Sequence, residues 1–304
     1  MPRRLPEPPF ELGSLIPEFA PLARETTLLY PRAGSPGVRE SSLGGPLLWP
    51  AGEPWPYCAR PGHQTYDPVT YRDLTPGPVP MVPVVQLFAR DVPRLAFPDG
   101  SDLLQLVWCP LLHAEEDTPA ALPGLYWRRE SEVVAAGLLR DVPAPGEGEY
   151  HDDFTPRPCT VSPTAVVEYP NWDLPKEFSD ALGPRLGEIE ERFGLWYTEF
   201  ACALQSKVGG YPAWTQPPDW PHCAAGHRME HLLSVAGEPA YGRWLPLDEH
   251  RPGVTAPALW ESPADDAVMD AIGPDMVMGD CGGVYVFLCR QCPGLPYAHR
   301  YDCH

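Results

Sequence analysis

Basic side chains are scarce in this sequence, which has 22 Lys and Arg against 41 Asp and Glu and a formal net charge of −19. Proteins that bind nucleic acid present a basic surface to the phosphate backbone, so this balance argues against nucleic acid as a partner. The same acidity favours a basic partner protein, if the chain has a charged partner at all. It is equally compatible with a protein whose charge only keeps it in solution.

Long apolar runs are also missing. The first ten residues lack the apolar core of a secretory signal peptide, and no segment approaches the ~20 residues that a helix needs to cross a membrane. We therefore expect a cytoplasmic protein without a membrane partner. In a reducing compartment the nine cysteines point to metal binding before disulfides, and their odd number argues against a complete disulfide framework.

Sequence motifs of common enzymes are absent as well. The chain has no nucleophile elbow, no zinc-protease helix motif and no dinucleotide-binding fingerprint. The segment Ser206-Lys-Val-Gly-Gly contains lysine and glycine, but not in the order of a phosphate-binding loop. These absences lower the expectation that the protein is an enzyme, without excluding it.

Proline, by contrast, is abundant, with 43 residues, and 43% of all residues are hydrophobic. Proline fixes φ and removes an amide donor, so it ends helices and keeps strands short. The apolar content is sufficient for a packed core. We therefore predict a β-rich α+β fold that consists of many short strands with a few helices between and around them.

Local patterns place the main elements. Runs rich in β-branched and aromatic residues between turn signals predict buried strands over Leu103–Cys109 and Gly283–Cys289, and a further strand is predicted over Thr164–Tyr169. An apolar segment precedes each of the first two, over Val82–Phe88 and Met229–Val235. Apolar residues at helical spacing predict helices over Glu130–Arg140 and Lys176–Phe193. The apolar face of the second helix is predicted to contain Ala181, Leu186, Ile189 and Phe193.

One segment occurs twice. Residues 41–58 superpose without a gap on residues 206–223 at an offset of 165, and two glycines, two tryptophans, a proline and a cysteine match. An internal duplication is therefore predicted, with a first module over residues 1–150 and a second over 151–304. Each glycine pair is predicted to serve a turn with positive φ or a close packing contact. The pairs are Gly44 with Gly45 and Gly209 with Gly210.

Cysteines and histidines fall into two equivalent sets once the copies are aligned. Each set consists of two close pairs that are far apart in sequence. A short pair lets one turn supply two of the four ligands of a structural zinc ion, so one zinc is predicted to staple each module. The alternative is that the residues are ordinary buried thiols and surface histidines. The sets are Cys58, His63, Cys109 and His113 in the first copy, and Cys223, His227, Cys289 and Cys292 in the second.

The sequence leaves two points about these sites open. Cys281, Cys303 or His304 could replace one of the predicted ligands. Spacing alone also does not separate zinc from iron. Cys159 and Cys202 stand apart from both sets and are predicted to be core residues, because free cysteine is among the most frequently buried residue types.

The second copy carries a recognisable pattern. It runs from Ser206-Lys-Val-Gly-Gly-Tyr-Pro-Ala-Trp through Trp220-Pro-His-Cys and Gly226-His-Arg-Met to Gly279-Asp-Cys-Gly-Gly-Val-Tyr-Val-Phe-Leu-Cys-Arg-Gln-Cys-Pro-Gly. This pattern resembles the bacterial YwqG-like family, a domain of unknown function, and the eukaryotic programmed cell death protein 2 family. The resemblance covers residues 206–303 and is weaker over 41–113. It implies a duplicated β-rich fold without established enzymatic activity, and relatives in toxin–immunity systems or among dedicated chaperones of a ribosomal protein.

These observations together favour a non-enzymatic, zinc-binding module that binds a basic protein, as an immunity protein or a dedicated chaperone. One alternative is a zinc-dependent enzyme that uses the second site with Cys281, His231 or Asp280 nearby. That alternative requires an open metal position and a neighbouring acid or base. Another is a structural or regulatory protein whose zinc thiolates respond to oxidation.

Overall fold

Two six-stranded antiparallel sheets form the centre of the protein in a computed structural model of the chain. Smaller sheets of two and three strands and several helices surround them, which confirms the prediction of a β-rich α+β fold. All nine cysteines are free thiols. The structure describes residues 1–66, 73–74, 77–113, 121–237, 240, 242–249 and 271–303.

The strands are short, as the proline content predicts. Those of the first half are β1 (Arg24–Leu28), β2 (Arg32–Ala33), β3 (Ser42–Leu43), β4 (Tyr57–Cys58), β5 (His63–Tyr66), β6 (Asp73–Leu74), β7 (Val79–Pro80), β8 (Val82–Phe88), β9 (Leu103–Trp108), β10 (Leu112–His113) and β11 (Pro123–Arg128). Those of the second half are β12 (Cys159–Thr160), β13 (Thr164–Glu168), β14 (Lys207–Gly209), β15 (Glu230–Ala236), β16 (Gly283–Leu288) and β17 (Tyr297–Asp302).

Helices connect and flank these strands. The α-helices among the described residues are α1 (Leu12–Leu15), α2 (Glu130–Ala136), α3 (Lys176–Phe193) and α4 (Tyr197–Ala201). Short 3-10 helices cover Pro17–Leu22, Asp152–Phe154, Gly242–Trp244 and Leu247–Glu249. Within the described part of the chain, no helix combines the length and the apolar character that crossing a membrane requires.

The two large sheets have the same strand order. The first runs β11–β9–β8–β3–β12–β2, and the second runs β17–β16–β15–β14–β1–β13. In each sheet a three-stranded meander is followed by the strand that precedes the glycine pair, and then by two further strands. Every neighbouring pair is antiparallel. The duplication that is visible in the sequence is therefore also a duplication of structure.

One strand of each sheet comes from the other half of the chain. Strand β12 lies between β3 and β2 in the first sheet, where Cys159 pairs with Leu43. Strand β1 takes the equivalent place between β14 and β13 in the second sheet, where Thr27 pairs with Val208. The division at residue 150 therefore separates two sequence repeats, while each large sheet contains strands from both sides of it.

Side chains of both sheets share one core. Strands β9 and β16 are buried along their whole length, as expected for runs of Leu, Val and aromatic residues at the centre of a sheet. Burial of each large apolar side chain contributes about 1.5–3 kcal/mol relative to exposure. The core includes Leu43, Leu87, Leu104, Leu106 and Trp108 from the first sheet and Val208, Leu233, Val235, Val284 and Val286 from the second.

A second core lies beneath helix α3, whose boundaries agree with the sequence prediction. Leu182 and Ile189 are buried there, and Leu186 and Phe193 are partly buried. These positions follow the 4-3-4 spacing of one helical face. The prediction for Ala181 is wrong: it is exposed, because it lies one residue, or about 100°, away from that stripe.

Other predicted elements occur with shifted ends. Strand β8 forms from the apolar segment Val82–Phe88, whereas β9 and β16 each end one residue before the predicted cysteine, and β13 ends one residue early. Helix α2 ends at Ala136 instead of the predicted Arg140. Gly137 adopts a φ of 80°, which stops the helix at that point.

We expect residues 1–150 and 151–304, expressed separately, not to fold, because each half lacks a strand that its own sheet requires. Co-expression should yield a one-to-one complex with the circular dichroism spectrum of the intact chain. As a control, the intact chain is cleaved after folding at a protease site inserted between Pro145 and Gly146, which lie in a loop. The cleaved chain should remain one particle in size-exclusion chromatography. Two monomeric halves that each melt cooperatively would contradict the strand exchange.

Candidate metal centres

The four residues of the first predicted set meet where β9 ends. Cys58 lies on β4, His63 begins β5, Cys109 follows β9 and His113 ends β10. Their ligand atoms lie within 4.8 Å of one another, all four side chains are buried, and Cys58 Sγ is 3.4 Å from His113 Nε2. Pairing of β5 with β10 places His63 directly opposite His113. The three-stranded sheet β10–β5–β6 thus holds both imidazoles against one thiol on β4 and one just beyond β9.

The second predicted set meets in the same way beyond the end of β16. Cys289 directly follows β16, Cys292 lies in the turn before β17, and Cys223 and His227 belong to the turn before β15. Their ligand atoms also lie within 4.8 Å of one another. Cys223 and Cys289 are buried, while His227 and Cys292 are partly exposed. This cluster is therefore closer to the surface than the first.

Distances within the second cluster fit the edges of a tetrahedron. The sulfurs of Cys223 and Cys292 are 3.7 Å apart, and His227 Nδ1 lies 3.6, 3.3 and 3.8 Å from the three sulfurs. Four ligands held at ~2.0–2.3 Å from a central ion in a tetrahedron are about 3.3–3.8 Å from one another. Each group of four residues can therefore hold one metal ion, and in the second group the distances match those of four-coordination.

A turn that ends in Gly-His supplies two ligands in each copy. Gly62 and Gly226 have φ values of 75° and 82°, which other residues rarely adopt. In the second copy the Gly226 N–H donates to the Cys223 carbonyl at 2.8 Å, and the Cys223 N–H donates to the His227 carbonyl at 2.9 Å. The glycine allows the chain to reverse there, so the cysteine and the histidine face the same point.

Hydrogen-bond donors near the sulfurs favour thiolates. A hydrogen bond with the Cys109 thiol lowers the pKa of Cys58, and the same bond, with burial, raises the pKa of Cys109. Burial opposes the charge on Cys223, but backbone N–H groups of His227 and Ala225 outweigh it and lower the pKa to about 6. The thiolate is the form that binds metal, so each cluster contains one sulfur that is ready to bind.

Two tryptophans pack behind the ligand turn in each copy. The ring centroids of Trp49 and Trp55 are 4.9 Å apart, and those of the equivalent Trp214 and Trp220 are 6.1 Å apart. Trp214 also stacks on Phe287 of β16 at 5.9 Å. These contacts hold the irregular segment between the glycine pair and the ligand turn against the sheet.

Each glycine pair lies where the chain passes close to the segment that contributes the exchanged strand, β12 or β1. A Cβ atom at Gly44 would collide with the carbonyl oxygen of Arg157, which precedes β12, and one at Gly210 would collide with the Thr26 hydroxyl on β1. The backbone also needs glycine here, because every φ in the two pairs is positive. The φ values are 72° at Gly44, 89° at Gly45, 73° at Gly209 and 67° at Gly210.

The remaining cysteines belong to neither cluster within the described part of the chain. Cys281 and Cys303 are partly exposed and are members of no metal-binding group there. His304 lies outside the described residues. Cys159 and Cys202 are both buried. The structure therefore offers no described replacement for the eight predicted ligands.

His231, which the enzyme hypothesis placed beside the second site, is part of the sheet interior. Its Nδ1 lies 2.9 Å from the Gly209 carbonyl oxygen, and its Nε2 lies 2.9 Å from the Ser234 hydroxyl. Burial lowers the pKa of His231 to about 3, so the imidazole is neutral at physiological pH. Neither His231 nor the exposed Asp280 is a member of the second cluster.

The sequence analysis missed a buried charged group on β14. Lys207 is fully buried, and its Nζ lies 2.8 Å from Glu168 Oε1 and 2.9 Å from Cys202 Sγ. A signal was present, because Lys207 is one of two lysines in the chain and stands in an apolar strand. A lysine in such a place needs a buried partner. Glu168 could not be named as that partner without knowledge of the strand pairing.

The purified full-length chain should contain two metal ions, as measured by elemental mass spectrometry. Cys58→Ser and Cys223→Ser should each remove one ion, because each variant loses a ligand of a different cluster. Cys303→Ser lies outside both clusters and should keep two. Folded wild-type protein without metal, or loss of an ion in the Cys303 variant, would contradict the ligand sets.

Gly210→Ala should lower the free energy of unfolding by more than about 2 kcal/mol, because it adds a positive-φ penalty to a collision with Thr26. The matched control is Gly183→Ala in α3, where no atom lies within 4 Å of the added carbon. That change should be neutral or stabilise by up to about 1 kcal/mol. Denaturant unfolding measures both variants, and equal effects would argue against the close approach of β1 and β14.

No protein-family model matches the chain, and no curated protein matches it in sequence. The resemblance to the YwqG-like and programmed cell death protein 2 families therefore stays a prediction that rests on the motifs between residues 206 and 303. The geometry itself provides two groups of four cysteine and histidine residues, at equivalent places of a duplicated fold, each of which can hold a metal ion.

Proposed function

We propose that the protein is a zinc-stabilised, non-enzymatic module that binds a basic partner protein, as an immunity protein or a dedicated chaperone. The observation that carries the proposal is the closed geometry of the clusters, in which four protein ligand atoms lie within 4.8 Å of one another. A tetrahedral site filled by protein leaves no position for a catalytic water. Metal in such a site stabilises the fold, by on the order of 10 kcal/mol in zinc-finger peptides.

Zinc suits the donor atoms. Two cysteines with two histidines, and three cysteines with one histidine, are common ligand sets of structural zinc. Separations of 3.3–3.8 Å between ligand atoms in the second cluster agree with zinc bond lengths of about 2.0–2.3 Å. Neither set contains a carboxylate, which magnesium and calcium prefer.

The zinc-enzyme alternative has less support. It needs an open metal position and a nearby group that transfers protons. Each cluster instead contains four candidate ligands. His231 is buried with both ring nitrogens engaged, by a carbonyl and by a hydroxyl. A structural role for both ions is the simpler account of the donor atoms.

The charge distribution supports a basic partner. Many of the cationic side chains already bind carboxylates within the fold, as Arg128 does with Glu53 and Arg90 does with Glu130. Because acidic side chains outnumber basic ones by 19, an excess of negative charge remains after such pairing. Opposite charge on a partner would raise the rate of association and select against acidic competitors.

Part of this negative charge lies near the end of α3. Glu188, Glu190 and Glu191 are exposed, and within the described residues the salt bridges of α3 involve other side chains. Glu190 and Glu191 lie in the last helical turn, beside Arg192, where carboxylates face partial negative charge on the backbone carbonyls and each destabilise a helix by about 0.3–1 kcal/mol. Trp196, 60% exposed, follows the helix and offers an aromatic contact. A basic surface bound here would relieve the repulsion.

The test is a pull-down with the zinc-loaded chain as bait, at about 0.05 M and 0.5 M salt, followed by mass-spectrometric identification. A basic protein should be captured at low salt and released at high salt. Glu188→Gln/Glu190→Gln/Glu191→Gln should weaken capture several-fold, whereas Glu177→Gln at the start of the same helix should not. Absence of a partner, or capture that depends on neither salt nor these carboxylates, would overturn the proposal.

A further inference from the structure

A lysine amine and a cysteine thiol are in contact in the protein interior. Lys207 Nζ lies 2.9 Å from Cys202 Sγ, and both side chains are buried. Nζ also donates to Glu168 Oε1 at 2.8 Å and to the Ala203 carbonyl at 2.7 Å. The three hydrogens of the ammonium group therefore have a carboxylate, a carbonyl and the sulfur as partners.

Glu168 is itself fixed in place. Its Oε2 accepts hydrogen bonds from the Thr26 hydroxyl and the Tyr211 N–H, each at 3.3 Å. The Cys202 thiol donates to the Tyr211 carbonyl at 3.2 Å. Burial raises the pKa of Cys202, so the group is a thiol beside an ammonium–carboxylate pair. The amine and the sulfur are thus held in one relative position.

The fold does not require this group. When the two repeats are aligned at an offset of 165 residues, Ser42 of the first copy matches Lys207 of the second. Ser42 pairs with the exchanged strand β12, and Lys207 pairs with the exchanged strand β1. The first sheet therefore forms around a small hydroxyl side chain at this place. Replacing a buried ion pair by apolar side chains is often neutral or stabilising, so stability alone does not account for the lysine.

We propose that Cys202 and Lys207 form a modification site, at which a peroxide links the two side chains through one oxygen atom, Nζ–O–Sγ. The thiol, the neutral amine and two molecules of hydrogen peroxide yield the bridge and three molecules of water. Sulfur loses two electrons in forming the S–O bond, nitrogen loses two in forming the N–O bond, and each peroxide accepts two. The S–H bond and one N–H bond break. Glu168 accepts the extra proton of the ammonium group.

The separation of the two atoms favours a bridge of one oxygen. Peroxide converts a thiol to a sulfenic acid, whose oxygen would enter the space of the present hydrogen bond between Cys202 and Lys207. A direct sulfur–nitrogen bond would instead require the two atoms to move well inside their present separation of 2.9 Å. Glu168 and Ala203 hold Nζ against that movement.

A cavity lies near the site along the chain, although Cys202, Lys207 and Glu168 do not line it. This cavity of about 260 Å³ is lined by Val167 and Tyr169, which flank Glu168 in the chain, and by Phe200, two residues before Cys202. Hydrogen peroxide is small enough to enter it. The bridge would tie the end of α4 to β14, the strand that pairs with the exchanged β1.

The experiment treats the metal-loaded full-length chain with hydrogen peroxide, alkylates it and digests it with trypsin. A bridge adds one oxygen and removes two hydrogens, a gain of about 14 Da. It also blocks cleavage after Lys207, so residues 193–228 should appear as one peptide, with Cys202 protected from alkylation. Dithiothreitol should restore cleavage. Lys207→Met and Cys202→Ser should abolish the gain, and buried Cys159, whose thiol donates to Gly273, should show none.

Circular dichroism first establishes that the variants fold, and Cys202→Ala replaces Cys202→Ser if the latter does not. A gain of about 14 Da with blocked cleavage, only in the wild type, supports the bridge. Addition of one or two oxygens to Cys202 with normal cleavage would overturn it, as would a loss of two hydrogens without oxygen. Lack of any change at Cys202 under conditions that oxidise Cys303 would overturn it equally.

Discussion

In each repeat, four ligand atoms meet at one point. They fix a part of the chain that contains little regular secondary structure. Residues 46–56 and 211–221 connect the glycine pair to the ligand turn, and neither range contains a strand. Prolines in these segments remove backbone donors and limit pairing with other chain segments to short contacts such as the isolated bridge between Pro50 and Leu138. Two tryptophans pack along this segment in each copy, and a metal ion bound at its end would couple metal binding to folding.

Strand exchange makes the two repeats depend on each other. Each glycine pair contacts the strand that the other repeat contributes, and the core between the sheets contains side chains of both. Loss of metal from one cluster would loosen the segment behind its glycine pair and, through the exchanged strand, the opposite sheet. The two repeats therefore form one scaffold around a shared core.

Features with a local cause could be predicted from the sequence, and non-local ones could not. The ligand turns and helix α3 depend on residues a few positions apart, so spacing alone indicates them, and the duplication identified which pairs belong together. The exchange of β1 and β12 escaped prediction because alternation of apolar residues reports burial, not the identity of the neighbouring strand. The buried group around Lys207 could not be predicted for the same reason, because it joins residues such as Thr26 and Glu168, which are 142 residues apart in the chain.

X-ray absorption spectroscopy at the zinc edge shows whether each cluster is a closed four-ligand site, because it measures the atoms bound to the metal. Two ions that share five sulfurs and three nitrogens should give four-coordinate spectra, with sulfur at about 2.3 Å and nitrogen at about 2.0–2.1 Å. That result would establish two closed structural sites. A light-atom ligand in excess of the three histidines, or a coordination number above four, would reveal bound water and an open site, and would contradict the account.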